Sequence, residues 1–193
     1  MRYVYIIFIF TLCFVCCKPI LEITKIEQLD SKQGVILWHS VKMNTIWAIS
    51  LPIEIKITNS SLKKRSFLNY KYIYGNQLKG KAMKLYSLEK GKVIQNSISK
   101  KNNLNAESSK IYLIYSKHFV DTVKFSNIFF KPYIEKMLRL EKDTLHVGTV
   151  VEFKKKHKEL FESLTKNDSI SIRLLDPNSK SGLGERIVVP VNW

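Results

Sequence analysis

The sequence predicts a mainly β fold: an antiparallel β-sandwich with one or two short helices. Three observations support this prediction. Apolar and polar residues alternate with a period of two in several short segments, which is typical of half-buried strands. Residues typical of turns separate these segments, and no strand–helix–strand alternation of the α/β type occurs. The chain has 193 residues, of which 45% are hydrophobic and 25% charged, a composition typical of one globular domain.

The strongest strand prediction is at Ile53–Ile57. There Ile53, Ile55 and Ile57 alternate with Glu54 and Lys56. Further strands are predicted at Leu21–Ile26, Val35–His39, Leu68–Tyr74, Met83–Leu88, Ile111–Ser116, Leu145–Phe153, Ile170–Leu174 and Ile187–Val191. Turns are predicted at Asn59–Ser61, Gly75-Asn76, Lys90-Gly91, Asn102-Asn103, Lys166–Asp168 and Asp176–Gly184.

Two segments are predicted to be helical. In Pro132–Leu140 the proline suits a first helical turn, and in Lys155–Leu164 three apolar residues form one stripe. The tract Phe153–Val191 then follows the order strand end, helix, strand, loop, strand. That order is analogous to immunoglobulin-like sandwiches, although the Cys…Trp…Cys pattern of true immunoglobulin domains is absent.

The first seventeen residues are typical of an export signal. Arg2 provides a positive start, Tyr3–Val15 is an uncharged run of 13 residues, and polar sequence begins at Lys18. Because a bilayer-spanning helix needs roughly 20 residues, this run fits a signal-peptide core better than a membrane span. The alternative, a buried N-terminal element of a cytosolic domain, does not explain the basic start. All the cysteines of the chain lie here: Cys13, Cys16 and Cys17.

The segment Phe14-Val15-Cys16-Cys17 resembles the lipobox of bacterial lipoprotein precursors. The resemblance implies that Cys17 carries a covalent diacylglyceryl group and, after cleavage before it, an N-acyl chain. Cys16 would be the small residue before the cut and is the alternative acylation site; Phe14 stands where Leu is usual. The implied organisation is a removed signal peptide at 1–16, a lipidated Cys and short tether at 17–21, and one β-sandwich-like domain at 22–193.

The same resemblance implies an anchor outside the cytoplasm and no other cofactor. Each buried acyl CH₂ contributes about 0.8 kcal/mol, so two or three chains on one cysteine anchor a protein without a spanning helix. Some bacterial lipoproteins use Asp after the acylated cysteine to stay in the inner membrane. Lys18 occupies that place here, which favours the periplasmic face of the outer membrane.

The charge is strongly positive, with 32 basic against 16 acidic residues and a formal charge of +16. Nucleic acid is not the expected partner, because only five of the basic residues are Arg, the type best suited to bidentate phosphate and base contacts. The expected partners are anionic lipid head groups or an anionic envelope polymer. The basic clusters are Lys63–Arg65, Lys79/Lys81/Lys84, Lys100-Lys101 and Lys154–Lys156.

No known catalytic or metal-binding motif occurs in the sequence. The spacings His118/Asp121 and Asp143/His146 are compatible with a site but arise easily by chance. Gly182-Leu183-Gly184 is expected to form a hairpin loop, because it opens no helix that would help bind an anion. Tyr70, Tyr72 and Tyr74 could form a ligand-binding face but fit core or rim packing better, and Trp38, Trp47 and Trp193 are expected to be packing anchors.

These observations predict a lipid-anchored envelope protein whose domain is a non-catalytic binding or structural module. Two alternatives remain open: an envelope enzyme, such as a hydrolase with an unrecognised site, and a basic protein that binds an anionic polymer. A cleft with converging histidine and carboxylate groups would favour the enzyme. Convergence of the scattered lysines on one face would favour polymer binding.

Overall fold

The structure, a computed structural model, describes residues 23–75, 84–89, 92–96 and 101–193 and confirms the mainly β, antiparallel prediction. Its strands are β1 Thr24–Leu29, β2 Ile36–Ser40, β3 Thr45–Asn59, β4 Arg65–Ile73, β5 Lys84–Glu89, β6 Lys92–Gln95, β7 Asn102–Leu104, β8 Ser108–Phe119, β9 Thr144–His146, β10 Ser169–Leu175 and β11 Leu183–Pro190. Its helices are α1 Asn127–Arg139, α2 Val150–Lys156 and α3 Lys158–Thr165. The described residues thus contain three short helices rather than one or two.

The strands form two sheets in which every described pairing is antiparallel. The larger sheet has the order β6-β5-β8-β3-β2-β9, with β1 paired to the free half of β3. The smaller sheet has the order β11-β10-β4-β7. Side chains from the inner faces of both sheets meet in one hydrophobic cluster, as expected for a sandwich.

Strand β3 is the longest element, and it was predicted only in part. Beside it, β2 pairs with Thr45–Ser50 and β1 pairs with Glu54–Asn59, so both strands lie on the same side of β3 in succession. Pro52 lies in the interval between these two partners, where that side of the strand carries no ladder. A proline without a backbone N–H is tolerated at such a position.

The hydrophobic core has two clusters, and β3 contributes to both. Ile46, Ile49 and Leu51 pack with α1, α2 and α3 in the first cluster. Ile53, Ile55 and Ile57 pack between the two sheets in the second. These side chains are at most 1% exposed. The strand therefore connects a helix-covered half of the molecule to a half that is formed by the two sheets.

The predicted strand at Leu145–Phe153 is wrong beyond His146. Gly148 has a positive φ of 92° and ends the extended segment, and α2 then begins after Thr149. The Thr149 hydroxyl accepts a hydrogen bond from the Glu152 backbone N–H, and the Glu152 carboxylate accepts one from the Thr149 backbone N–H. This capping box satisfies two donors that a helix start leaves open, and it outweighs the period-two pattern.

Three further boundaries differ from the predictions. Helix α1 begins at Asn127, so Pro132 lies inside the helix rather than in its first turn. The predicted helix Lys155–Leu164 is two helices that meet at His157, whose φ of −130° is not helical. Asn102-Asn103 belongs to strand β7 rather than to a turn, and Asn102 is buried. The predicted turns at 76 and 90–91 and the start of the strand at 21 lie outside the described residues.

Candidate functional site

A basic groove of about 790 Å³ opens at the end of the molecule where β3 finishes and β4 begins. We call this region the basic groove; its charged lining consists of Lys63, Lys64, Arg65, Lys101, Asp176 and Glu185. Four cations therefore face two carboxylates. The groove joins the cluster Lys63–Arg65 to the loop that contains Gly182 and Gly184, which are distant in sequence. The lining also includes Ile23, the first described residue.

The turn beside the groove is held by a fully buried asparagine. Asn59 is 0% exposed, and its amide nitrogen donates to the carbonyls of Lys63 (2.9 Å) and Asn105 (2.7 Å). Its side-chain oxygen accepts from the backbone N–H and the hydroxyl of Ser61. The turn Ser60–Lys64 is therefore fixed to the core, because a buried amide retains its position only while its hydrogen bonds are satisfied.

A second polar cluster lies between the two sheets and is sealed from solvent. The Tyr72 hydroxyl on β4 donates to Asp168 Oδ2 at 2.6 Å, and the Gly75 N–H donates to Asp168 Oδ1 at 2.9 Å. On β8, Ser116 Oγ lies 3.0 Å from His118 Nε2, which is 3.8 Å from Asp168 Oδ2. His118 is 0% and Asp168 2% exposed. We call these residues the buried polar cluster.

The buried polar cluster contains Ser, His and Asp but lacks the arrangement of a catalytic triad. In a triad the serine donates to one imidazole nitrogen, while the carboxylate accepts from the other. Here Ser116 also donates to the Leu51 carbonyl at 3.2 Å, and no described carboxylate accepts from His118 Nδ1. Ser116 and Asp168 also approach the same nitrogen, and no substrate reaches a hydroxyl that is 0% exposed.

Burial shifts the pKa values in this cluster toward uncharged forms. Desolvation lowers the pKa of His118 to about 4, and the Leu164 carbonyl opposes part of that shift. Desolvation raises the pKa of Asp168, and the hydrogen bonds from Tyr72 and Gly75 oppose that shift. Desolvation also raises the pKa of Tyr72, with the Asp168 charge as the second cause. The cluster thus joins β4, β8 and the residue before β10 through a phenol, an imidazole and a carboxyl group that share one buried site.

A shallow cleft of about 520 Å³ lies between α1, α2 and β9. Its titratable lining is Tyr133, Lys136, His146, Glu152 and Lys156. A histidine and a carboxylate therefore share a cleft, as the enzyme alternative requires. The Glu152 carboxylate, however, is occupied by the cap of α2, whose hydrogen bonds lower its pKa. Beside the cleft, the Tyr133 hydroxyl lies 2.7 Å from Nε2 of His157.

The structure separates the histidine pairs that the sequence suggested. His118 turns to Ser116 and Asp168, whereas Asp121 caps the following turn by accepting from the N–H groups of Val123 and Lys124. His146 is exposed in the cleft, and Asp143 is not part of its lining. His39 is buried, and neither of its ring nitrogens has a hydrogen bond. Among the described residues, no three His, Cys, Asp or Glu side chains group as metal ligands.

The aromatic residues mostly pack, as predicted. Tyr72 is buried between the sheets with Tyr70 and Tyr74 partly buried beside it, so these tyrosines form no open ligand face. Trp193 packs against both core clusters and stacks edge-on against Phe161 at 5.6 Å. Trp38 and Trp47 are partly exposed on the outer face of the larger sheet, where the Lys117 ammonium lies 3.3 Å from the Trp38 ring centre.

The basic clusters lie in different parts of the molecule. Lys63–Arg65 and Lys101 line the basic groove, whereas Lys154–Lys156 belong to α2, and Lys154 Nζ donates to the Trp193 carbonyl at 2.6 Å. Lys84 is exposed at the start of β5. Lys79, Lys81 and Lys100 lie outside the described residues, as do Cys13, Cys16, Cys17 and Lys18. No helix in the described part is long and apolar enough to cross a membrane.

Two important residues were missed at the sequence level. Asn59 and Asp168 both lie in predicted turns, where Asn and Asp are common and carry little information. The available signal for Asp168 is its place directly before an alternating strand, and the signal for Asn59 is the Asn-x-Ser spacing to Ser61.

Comparison of the chain with protein-family models, curated proteins and solved structures gives no match.

Proposed function

We propose that this chain is a lipid-anchored cell-envelope lipoprotein whose folded domain is a non-catalytic binding or structural module. The lipid anchor would be Cys17, with Cys16 as the alternative. The observation that carries the non-catalytic reading is the buried polar cluster. The Ser–His–Asp grouping there is sealed from solvent, and its serine and carboxylate approach the same imidazole nitrogen instead of opposite ones.

The basic groove supports an anionic binding partner. Its lysines and arginine come from the turn between β3 and β4, the first residue of β4 and the residue before β7. The lining includes Ile23, only six positions after Cys17, so an acylated Cys17 would hold this end of the domain near the membrane surface. Anionic head groups attract basic residues at about 1 kcal/mol for each cation near the surface.

Fatty-acid labelling tests the anchor. Cells that express the full chain, the Cys17→Ala variant or the Cys16→Ala variant are grown with labelled palmitate. We expect label on the wild type and on Cys16→Ala but none on Cys17→Ala, and we expect the labelled chain in the membrane fraction. Label on both single variants contradicts Cys17 as the site. An unlabelled full-length chain in the cytoplasm contradicts the proposal as a whole.

The cleft between α1, α2 and β9 provides the specific observation in favour of an enzyme. His146 is exposed there beside Tyr133 and Lys136, which are groups able to move protons. A hydrolase screen with ester, phosphate and glycoside substrates tests it, with His146→Ala as the diagnostic variant. An activity that disappears in His146→Ala but survives in His157→Gln would establish an enzyme and overturn the non-catalytic proposal.

A further inference from the structure

We propose that the turn Ser60–Lys64 is a membrane-contacting tip that inserts Leu62 at the head-group level of an anionic bilayer. This inference rests on the proposed lipid anchor and adds the orientation of the domain on the membrane. It names the surface of the protein that faces the lipid and the lipid charge that this surface prefers. The observation that supports it is the position of Leu62. This exposed side chain lies next to the N-terminal end of the described chain and directly before two exposed lysines.

The tip combines apolar and positive groups in a small area. Leu62 is 82% exposed, and Ile23 beside it is 51% exposed. Lys63 and Lys64 follow Leu62 directly and are both exposed. A large apolar side chain that projects into solvent next to cations has the composition of an interfacial membrane contact, in which the apolar group enters and the cations remain with the phosphates.

The tip is fixed rather than loosely attached. The Ser60 N–H donates to the Ile23 carbonyl at 2.9 Å, which joins the turn to the segment that leads from the proposed anchor. The Glu107 N–H donates to the Ser61 carbonyl at 3.1 Å, and Asn59 holds the turn from inside. Because these contacts hold the backbone of the turn on both sides of Leu62, its exposure is a property of the fold.

The position relative to Cys17 makes bilayer contact geometrically possible. Six residue steps separate Cys17 from Ile23, and a fully extended chain spans at most about 3.3–3.6 Å per residue, or roughly 20 Å in total. Ile23 lies beside the tip, so an acylated Cys17 cannot hold the tip far from the head groups. Three described carboxylates lie near the tip: Glu107 is exposed, and Asp176 and Glu185 line the same groove as the lysines.

Other exposed apolar residues provide the matched control. Val123 is 93% exposed, which exceeds the exposure of Leu62, but it follows the far end of β8. Because Asn59 pairs with Ser108 and Ala48 pairs with Phe119, these two ends are separated by eleven residues of strand. At about 3.3 Å per residue the separation is about 35 Å. A probe at Val123 should therefore stay in water when a probe at Leu62 touches lipid.

The test uses the acylated protein in vesicles. Leu62→Cys and Val123→Cys are labelled with an environment-sensitive fluorophore; in the acylated form Cys17 is blocked and Cys13 and Cys16 have been removed. In vesicles of phosphatidylglycerol and phosphatidylcholine we expect a blue shift and a several-fold increase in emission at position 62 only. In pure phosphatidylcholine the increase should be smaller. The substitutions Lys63→Ser/Lys64→Ser should remove this lipid dependence, whereas Lys155→Ser/Lys158→Ser on the helices should leave it unchanged.

The outcomes separate this inference from the proposed function. If the chain carries no fatty acid, the proposed lipid anchor is wrong, and this result does not depend on the fluorophore measurements. An acylated chain whose probes at positions 62 and 123 give the same aqueous spectrum overturns the tip while the anchor stands. In a third outcome, a fluorophore at position 62 reports an apolar environment in whole cells but an aqueous one in vesicles. That result indicates a protein partner at the tip and also overturns the bilayer assignment.

Discussion

Tyr72 and Asp168, which are 96 residues apart in sequence, are joined by a hydrogen bond of 2.6 Å inside the sandwich. The bond links β4 to the residue that precedes β10, and neither side chain is open to solvent. A buried carboxylate is costly unless donors satisfy it, and here a phenol and a backbone N–H do so. The contact therefore fixes the end of β4 against the turn that leads into β10.

Removal of the Tyr72 hydroxyl should destabilise the fold. In Tyr72→Phe the Asp168 carboxyl loses its shortest hydrogen bond but keeps its burial, and we expect a loss of about 2 kcal/mol in the free energy of unfolding. Urea unfolding of the protein in detergent measures it. Tyr115→Phe is the matched control, because that hydroxyl makes only a 3.4 Å contact with the Gly34 carbonyl. Equal losses in the two variants would contradict the role assigned to Tyr72.

Acid should weaken the fold through His118. Its pKa is about 4 in the folded protein against 6.5 when unfolded, so between these values the unfolded chain binds a proton that the native state does not. Stability therefore falls as the pH drops from about 6.5 to about 4, by at most about 3 kcal/mol. The raised pKa of Asp168 acts in the opposite direction, because the native state then binds its proton first.

The His118 contribution is isolated by difference. Urea unfolding of wild type and His118→Gln at several pH values between 7 and 4 gives two curves that should converge as the pH falls, since only wild type loses the His118 term. His146→Ala, which changes an exposed histidine, should follow the wild-type curve. Parallel curves for wild type and His118→Gln would show that His118 keeps an ordinary pKa.

Gly75 should tolerate no side chain. A Cβ placed there would clash with the Lys166 carbonyl oxygen and the Asn167 backbone, and the Gly75 N–H is the second donor to Asp168. Gly75→Ala should therefore displace the β4 end from the Asp168 turn and cost more than about 2 kcal/mol. Gly182→Ala is the control variant. The positive φ of 68° at Gly182 gives strain of roughly 1–2 kcal/mol, but a Cβ placed there meets no other atom within 4 Å. Thermal unfolding should rank Gly75→Ala as the more damaging change.

The capping box should account for the start of α2. Thr149→Ala removes the acceptor for the Glu152 N–H and should cost about 1 kcal/mol, whereas Thr149→Ser should retain most of the stability. Urea midpoints distinguish the three proteins. If alanine and serine behave alike, the hydroxyl is not what determines the start of this helix.

The fold class could be predicted because the clearest strands are covered on one face only. Around Ile53–Ile57 buried residues alternate with partly exposed ones, as the sequence pattern predicts. In Ile170–Leu174 the three apolar residues are buried as predicted, although Ser171 between them is buried as well. The pattern fails from Thr45 to Pro52, because residues on both faces are buried there and the period disappears. At Leu145–Phe153 the alternation extends by chance into residues whose local capping chemistry favours a helix.

The candidate sites were less predictable than the fold. Lys63–Arg65 was recognised as a basic cluster, but its union with Lys101 and the Gly182 loop depends on which strands end at the same edge. The buried polar cluster combines residues from β4, from β8 and from the turn before β10, and none of the spacings within the sequence indicates it. His118 was paired with Asp121 by proximity along the chain, whereas strand alternation turns its ring inward toward Asp168.

The continuity of β3 has a consequence for how the molecule loses its structure. The hydrogen bonds between β3 and β8 run without interruption through the helix-covered half and the two-sheet half of the molecule. We therefore expect that neither half can break its β3 hydrogen bonds while the other half stays folded. Amide hydrogen exchange along Ile46–Ile57 should consequently report a single, whole-molecule opening, with the slowest exchange in the chain distributed across both ends of the same strand.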